Sequence, residues 1–315
     1  MATMPLHLNS LDALRLDAAP LGRQEESIAR KAFRWTFYPM VVVLAVSAHL
    51  FLAQGLAPAQ HSLATGAVSL ACLALFLLCE RLMPFRAAWN ENQGDLATDA
   101  IQTNVILPVV ARFSEVLLAI GATWLSANVF GGGLFPVHVP FILQVILALA
   151  IAELAYYGMH RAGHTVRALW SLHAVHHGTG RVYSLNAGRF HVFDAFLSSC
   201  AYLGPMILLG APTEVVALIA TLNAVTGFME HVNIDFEVGP LNRLFNTAQL
   251  HRWHHAEDSS LPPCNFGKVL SIWDQVFGTY YLPEGEVGAV GIGPDEAPVP
   301  TSILGQTLYP WKRRA

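Results

Sequence analysis

Charge is what this chain lacks. Only 13% of its 315 residues are Asp, Glu, Lys or Arg, against roughly 25% in a soluble globular protein. That shortage argues against a soluble protein and against a disordered one. No basic excess is present either: the net charge is −4, so nothing in the composition suits a nucleic-acid partner. The four cysteines, Cys72, Cys79, Cys200 and Cys264, form no CxxC pair and no disulfide-like framework. They read as scattered thiols in apolar surroundings. HExxH is missing, and with it the zinc-protease arrangement and its glutamate base. No Ser or Cys stands in a nucleophile elbow. Residues 1–34 show no cationic start followed by an apolar core, so no secretory leader is expected.

What is present is apolar length. Hydrophobic residues make up 54% of the chain and the mean hydropathy is +0.43. A membrane span takes about 20 apolar residues, and four stretches qualify: Phe37–Leu56, Ser62–Leu82, Ile101–Leu125 and Val139–Met159. A further stretch, Val192–Met229, is interrupted at Gly210-Ala211-Pro212 and reads as a membrane hairpin with its tip near Pro212, fully or partly embedded. All but one of the 18 basic residues then fall on one face, which the positive-inside rule makes cytoplasmic. The exception, Arg112, stands three residues before Glu115 and can pair with it. The expected fold is all-α: a polytopic membrane bundle of four spans plus a hairpin, with a cytoplasmic histidine-rich helical cap. Its expected divisions are a cytoplasmic N-terminal segment (1–34), membrane spans (35–130), a di-metal domain (131–283) and an irregular Gly- and Pro-rich tail (284–315).

The histidines carry the chemistry. Ten of the 14 lie between His160 and His255. They run as HxxxH (His160, His164), HxxHH (His173, His176, His177), two singletons (His191, His231) and a second HxxHH (His251, His254, His255). On a helix, positions i, i+3 and i+4 share one face, so each set can aim at one point. Imidazole suits iron, zinc, copper and nickel. Eight to ten imidazoles exceed what one ion coordinates, so a two-metal centre is expected. His7, His49, His61 and His138 read as ordinary amphipathic residues. Many neutral ligands around two metals favour redox iron, and iron with dioxygen can oxidise an unactivated C–H bond. A site at the membrane boundary implies a lipid substrate. Two other classes stay open on the residues alone: a zinc-dependent membrane hydrolase, and a non-enzymatic metal or haem carrier.

The order of the histidine sets resembles the fatty acid hydroxylase/sterol desaturase superfamily of integral-membrane di-iron enzymes. The likeness extends to His160-Arg161 followed by Leu169-Trp170, to NAGRFHVFD at 186–194, to EHVNIDF at 230–236, and to HRWHHAEDSSLPPCNFGKVLSIWDQVFGTYYLP at 251–283. Two positions depart from the usual pattern: Val192 stands where many members have Pro, and Phe266 where Tyr is usual. The resemblance implies dioxygen-dependent hydroxylation or desaturation of a sterol or fatty-acyl lipid, with O2 as co-substrate and two irons. A near relative of that chemistry is oxidative cleavage of an ether lipid. The iron ligands it implies are His160, His164, His173, His176, His177, His191, His231, His251, His254 and His255. It also implies a separate electron donor of cytochrome b5, ferredoxin or reductase type. A ligating imidazole usually gives its second N–H to a carboxylate or carbonyl. Asp194, Glu230, Asp235, Asn265 and Asp274 are the candidates for that role, and Glu257 and Asp258 also adjoin the last histidine pair. Trp170 and Trp253 read as packing or interfacial anchors, and Arg181 and Arg189 as cytoplasmic-face arginines that meet lipid head groups.

Overall fold

A computed structural model describes residues 27–258 and 260–312. His7, Arg15, Arg23, Arg313 and Arg314 lie outside them. Among the described residues the chain is helical and contains no strand, only isolated bridges. The helices are α1 (Ile28–Ala53), α2 (His61–Leu82), α3 (Leu96–Ile101), α4 (Leu107–Leu125), α5 (Phe141–Thr165), α6 (Arg167–His177), α7 (Val192–Leu209), α8 (Thr213–His231), α9 (Ala248–His254), α10 (Ile272–Val276) and α11 (Ile303–Lys312).

Among the described residues, six segments are long and apolar enough to cross a membrane: α1, Pro58–Leu82, Leu96–Phe130, α5, α7 and α8. The third contains α3 and α4, joined by a π-helical turn over Gln102–Ile106. Pro108, in the first turn of α4, has no N–H to return to the preceding turn, and the backbone widens just before it. The hairpin takes the expected form. Gly210 ends α7 in the left-handed region at φ 82°, and Pro212 leads directly into α8. At about 1.5 Å per residue, the 18 residues of α7 extend about 27 Å, close to the thickness of a hydrocarbon core.

Helix α8 is the centre of the bundle and packs on α1, α2, α5 and α9. One apolar core lies between α1, α2 and α8 (Phe37, Phe76, Val225, Met229), and a second between α5, α7 and α8 (Ala152, Tyr156, Met206, Ile219). The outer faces are apolar but bare: Val43, Val109 and Ile142 are each more than 60% exposed. Hydrophobic residues that face outward along every long helix fit a lipid solvent. Arg112 does meet Glu115, at 2.6 Å.

The cap is fastened to the third span by a buried ionic cluster that the sequence reading had placed at the lipid surface. Arg181 reaches Asp95 at 2.5 Å, and Arg189 reaches Asp95 and Asp99, both at 2.7 Å. The Tyr183 hydroxyl donates to Asp99 at 2.5 Å. Both arginines are under 3% exposed, so they meet carboxylates and not head groups. Removing one member of such a cluster leaves an uncompensated buried charge, at a cost of about 3–5 kcal/mol. Close packing reinforces the joint, because a Cβ on Gly188 would fall 2.7 Å from Thr103 Cα. The tail is also more ordered than expected. It contains α11, which packs on α6, and Gln306 of α11 accepts from Gln102 at 2.8 Å.

Candidate metal centre

Nine of the ten clustered histidines converge at one end of the bundle, in two groups. The first group holds His160 and His164 from the last turns of α5, His173 and His177 from α6, and His254 from α9. The second holds His176 from α6, His231 at the end of α8, and His251 and His255 at α9. Within each group the candidate ligand atoms lie within 4.8 Å of one another. The HxxHH spacing explains the division. On α6, His173 and His177 are four residues apart and serve one group, while His176 turns to the other.

The tautomers can be argued from the acceptors. His160 Nδ1 faces the Phe266 carbonyl at 2.9 Å, His173 Nδ1 faces Asp194 at 2.9 Å, and His254 Nδ1 faces the Cys264 carbonyl at 2.7 Å. In the second group, His176 Nδ1 faces the Arg189 carbonyl at 3.2 Å and His231 Nδ1 faces Asn186 Oδ1 at 2.8 Å. Oxygen acceptors put the proton on Nδ1 and leave Nε2 as a lone pair. In the five-histidine group all five Nε2 atoms are buried with no hydrogen-bond partner. In the four-histidine group His176 Nε2 and His231 Nε2 stand 3.2 Å apart. With both protons on Nδ1 that contact is lone pair against lone pair, which only a cation between them relieves. His251 Nε2 lies 3.0 Å from His231 Nε2 and 3.1 Å from His255 Nε2. Two nitrogens each about 2.1 Å from a shared ion, at right angles, lie about 3 Å apart. The residues present therefore fit two metal ions, one per group.

Burial prepares these ligands. It pushes the imidazoles of His176, His177, His251 and His255 well below their ordinary pKa, reinforced by neighbouring histidines, and pushes His254 down to about 3. That shift favours the neutral form of these five imidazoles, the form that metal ligation requires.

Comparison with known proteins agrees with this geometry. The fatty acid hydroxylase family model matches residues 145–279, the stretch that carries every one of these histidines. The ornithine lipid hydroxylase of Rhizobium tropici is 33% identical over 263 residues, covering 81% of this chain and 78% of that protein. This chain belongs to the fatty acid hydroxylase family. The sphingolipid C4-hydroxylase of Schizosaccharomyces pombe is 30% identical, covering 66% of the chain and 70% of that protein. The alkylglycerol monooxygenase of Danio rerio is 32% identical over 46% of the chain, and only 32% of that longer protein is covered. No solved structure matches the chain. It is an integral membrane, multi-pass member of a family of lipid-oxidising enzymes.

In this hydroxylase-family chain the residues behind the histidines sort cleanly. Asp194 holds His173 directly. Glu230 stands 3.8 Å from His251 Nδ1 and is itself held by Asn246 at 2.5 Å and Lys268 at 3.0 Å. Asp274 acts one step further out. It accepts the Phe266 and Gly267 N–H groups at 2.7 and 2.8 Å, and so fixes the loop whose carbonyl meets His160. Burial raises the Asp274 carboxyl above its ordinary value, and these hydrogen bonds oppose the rise. Asn265 bends the same loop. It sits in the left-handed region at φ 54° and donates to the Leu250 carbonyl at 2.9 Å and the Tyr281 carbonyl at 2.7 Å.

Two expected residues are elsewhere. His191 joins neither group: its Nδ1 accepts the Phe193 N–H at 3.2 Å as the N-cap of α7, and its Nε2 faces the Thr307 carbonyl of α11 at 3.1 Å. Both ring nitrogens are already used. Asp235 pairs with Arg30 and Arg34 at 3.1 and 3.2 Å, away from the histidines. Residues that the sequence did not single out complete the support. Asn186 orients His231. The buried Glu153 carboxylate receives the N–H groups of Lys268, Val269 and Leu270 at 3.0–3.1 Å and clamps the far side of the Phe266 loop. Trp170 takes the packing role, with its ring 5.2 Å from that of His164 and 5.5 Å from that of His177. Of the four outlying histidines, His49 is buried and shares a hydrogen bond with Thr221 at 2.8 Å.

A wholly apolar cavity of about 310 Å3 lies beneath the histidines, between α1, α5 and α8. It runs from Leu50, Ile142 and Leu218 to Thr226, Phe245 and Val269. Its walls come from α5, from α8 in the second half of the hairpin, and from α1.

Proposed function

We propose that this protein is a di-iron, O2-dependent hydroxylase of the acyl chain of a membrane lipid. The observation that carries the reading is the pair of histidine groups, nine imidazoles whose candidate ligand nitrogens lie within 4.8 Å of one another in each group, five of them with a buried Nε2 that has no hydrogen-bond partner. Irons held there would supply the oxidising power that activates dioxygen, which side chains alone lack. The chain's own residues do the rest. Neutral imidazoles hold the ions without adding charge, and Asp194, Asn186 and the clamped carbonyls of Cys264 and Phe266 fix the ring orientations. The apolar cavity would take a hydrocarbon segment and keep water from it, with its Thr226 end one helical turn from Glu230 and His231. Overall, one C–H bond and O2, with two electrons and two protons, give an alcohol and water.

A hydrolase reading is less well supported. The relatives that match most of the chain are lipid hydroxylases, and hydroxylation is oxidation, not hydrolysis. The substrate to try first is an ornithine-type aminolipid, from the relative that matches over most of both chains. Ether cleavage, which would yield a shortened lipid, is the reading that follows the alkylglycerol monooxygenase relatives. The electrons would come from a separate donor protein docking at the cap. We assign the cap and both termini to the cytoplasm on the positive-inside reading of the sequence, in which all but one of the 18 basic residues fall outside the spans on that one side. Lipid extracts of a host that makes wild type or His254→Ala test the proposal. A lipid with one added oxygen in the wild-type extract alone is expected. Identical extracts in a host with a competent donor would overturn it.

A further inference from the structure

The two histidine groups are not equally reachable. A second cavity, of about 150 Å3, is partly open to the outside, and its walls include His164, His177 and His254. All three belong to the five-histidine group, and each turns an unpartnered Nε2 inward. No member of the four-histidine group lines this cavity, and all four are buried. His164 is the one ligand of the nine that is not fully buried. From the opening, the second group lies behind the first, since the His177 ring stacks on His255 with 4.2 Å between centroids.

Two carboxylates, Glu257 and Asp258, stand in the wall of the same opening, directly after the last histidine pair. They are not ligands of either group, and neither bonds to a ligand histidine. The Asp258 carboxylate is held by the Ser260 N–H at 2.9 Å and the Ser260 hydroxyl at 2.6 Å. Carboxylate and water are ready, exchangeable ligands for a hydrated divalent cation, and negative charge at the mouth of a cleft raises the local cation concentration. The imidazoles of the five-histidine group have the opposite character: they face inward, and none has a competing partner at Nε2.

We propose that this opening is the port through which both metal ions enter and leave, with Glu257 and Asp258 as the carboxylates that first gather the cation. The five-histidine position then fills and empties before the four-histidine position, and the inner ion passes through the outer site. This rests on the two-metal reading above. Each transfer exchanges water or carboxylate for imidazole on the same ion, with no change of oxidation state.

The test uses the full chain in detergent, stripped of metal, with Co(II) as the probe and its visible absorption as the readout. Two Co(II) ions should bind per chain in two resolved phases. The Glu257→Gln/Asp258→Asn double variant should reach the same final stoichiometry, with its first phase slowed about three- to tenfold at low salt. That difference should shrink as salt screens the port. Glu214→Gln, in the first turn of α8 at the other end of the bundle, should load like wild type. Release into EDTA should likewise free one ion well before the other. A single uptake phase, or a double variant that loads at the wild-type rate at low salt, overturns the port. A chain that binds no Co(II) overturns the two-metal reading itself.

Discussion

The two histidine groups are built from the same residue and held in different ways. The five-histidine group is braced from the loop after α9, through the carbonyls of Cys264 and Phe266, and from α7 through Asp194. The four-histidine group is braced from the chain between α6 and α7, through Asn186 and the Arg189 carbonyl, and Arg189 is locked in turn by Asp95 and Asp99. One group borders an opening and the other is sealed. The difference teaches that ligand count alone does not rank the two positions. The group with fewer imidazoles is the more deeply enclosed, and among the described residues no fifth imidazole joins it.

The largest predicted effect exploits that asymmetry. His251→Ala removes one of the four imidazoles of the second group, the one whose Nε2 stands 3.0 Å from His231 Nε2 and 3.1 Å from His255 Nε2. Bound metal should fall from two ions to about one per chain, and lipid oxidation by more than the roughly 100-fold that loss of an outer partner costs. His164→Ala takes one of five ligands, at the exposed edge, and should keep two ions with the outer one more readily lost. Metal analysis of both variants checks this, and equal losses would erase the distinction. Next in size is Asp194→Asn. It leaves His173 in place but weakens its orientation, and should lower affinity at the outer position by about 10- to 100-fold. A titration that shows the inner position weakened instead would contradict the assignment.

Acid should separate folded from unfolded chain in a fixed direction. Burial depresses the pKa of His176, His177, His251 and His255, and that of His254 to about 3. Above the free-histidine value of about 6.5 these groups are neutral in both states and contribute no pH dependence. Below it the unfolded chain takes up protons that the folded chain refuses. Stability of the metal-free protein should therefore fall as pH drops below about 6.5 and keep falling toward the folded values. Thermal unfolding across a pH series reads this, and stability that rises on acidification would contradict it. The smallest effect belongs to His191→Ala. Loss of an N-cap costs about 1 kcal/mol, with metal content unchanged, because neither ring nitrogen is available to a metal. Loss of an ion in this variant would return His191 to the ligand set.

Much of this was legible in the sequence, for identifiable reasons. Apolar length marks spans wherever the solvent is lipid, so α1, α2, α4, α5 and the α7–α8 hairpin could be read directly. HxxxH and HxxHH are helical spacings, and eight of the nine converging histidines lie in such sets. A singleton carries no spacing. His231 and His191 looked alike in sequence, and only the packing of α8 against α9, and of α11 near the start of α7, separates the histidine that joins a group from the one that caps a helix. The carbonyl partners at Cys264, Phe266 and Arg189 were invisible because every residue has a carbonyl. The fate of Arg181 and Arg189 depended on α3, roughly ninety residues away, which supplies Asp99 beside Asp95. Helix α11 was obscured by Gly305 and Pro310 within a Gly- and Pro-rich tail.

The central claim is that two buried metal positions insert oxygen from O2 into a membrane lipid. The most direct measurement is the isotopic origin of that oxygen. Membranes containing the wild-type protein, supplied with reductant, a competent donor and isotopically heavy dioxygen in ordinary water, should yield a hydroxylated lipid carrying the heavy isotope, with none from His251→Ala. A product whose new oxygen comes from water, or equal labelling with the variant, would contradict it.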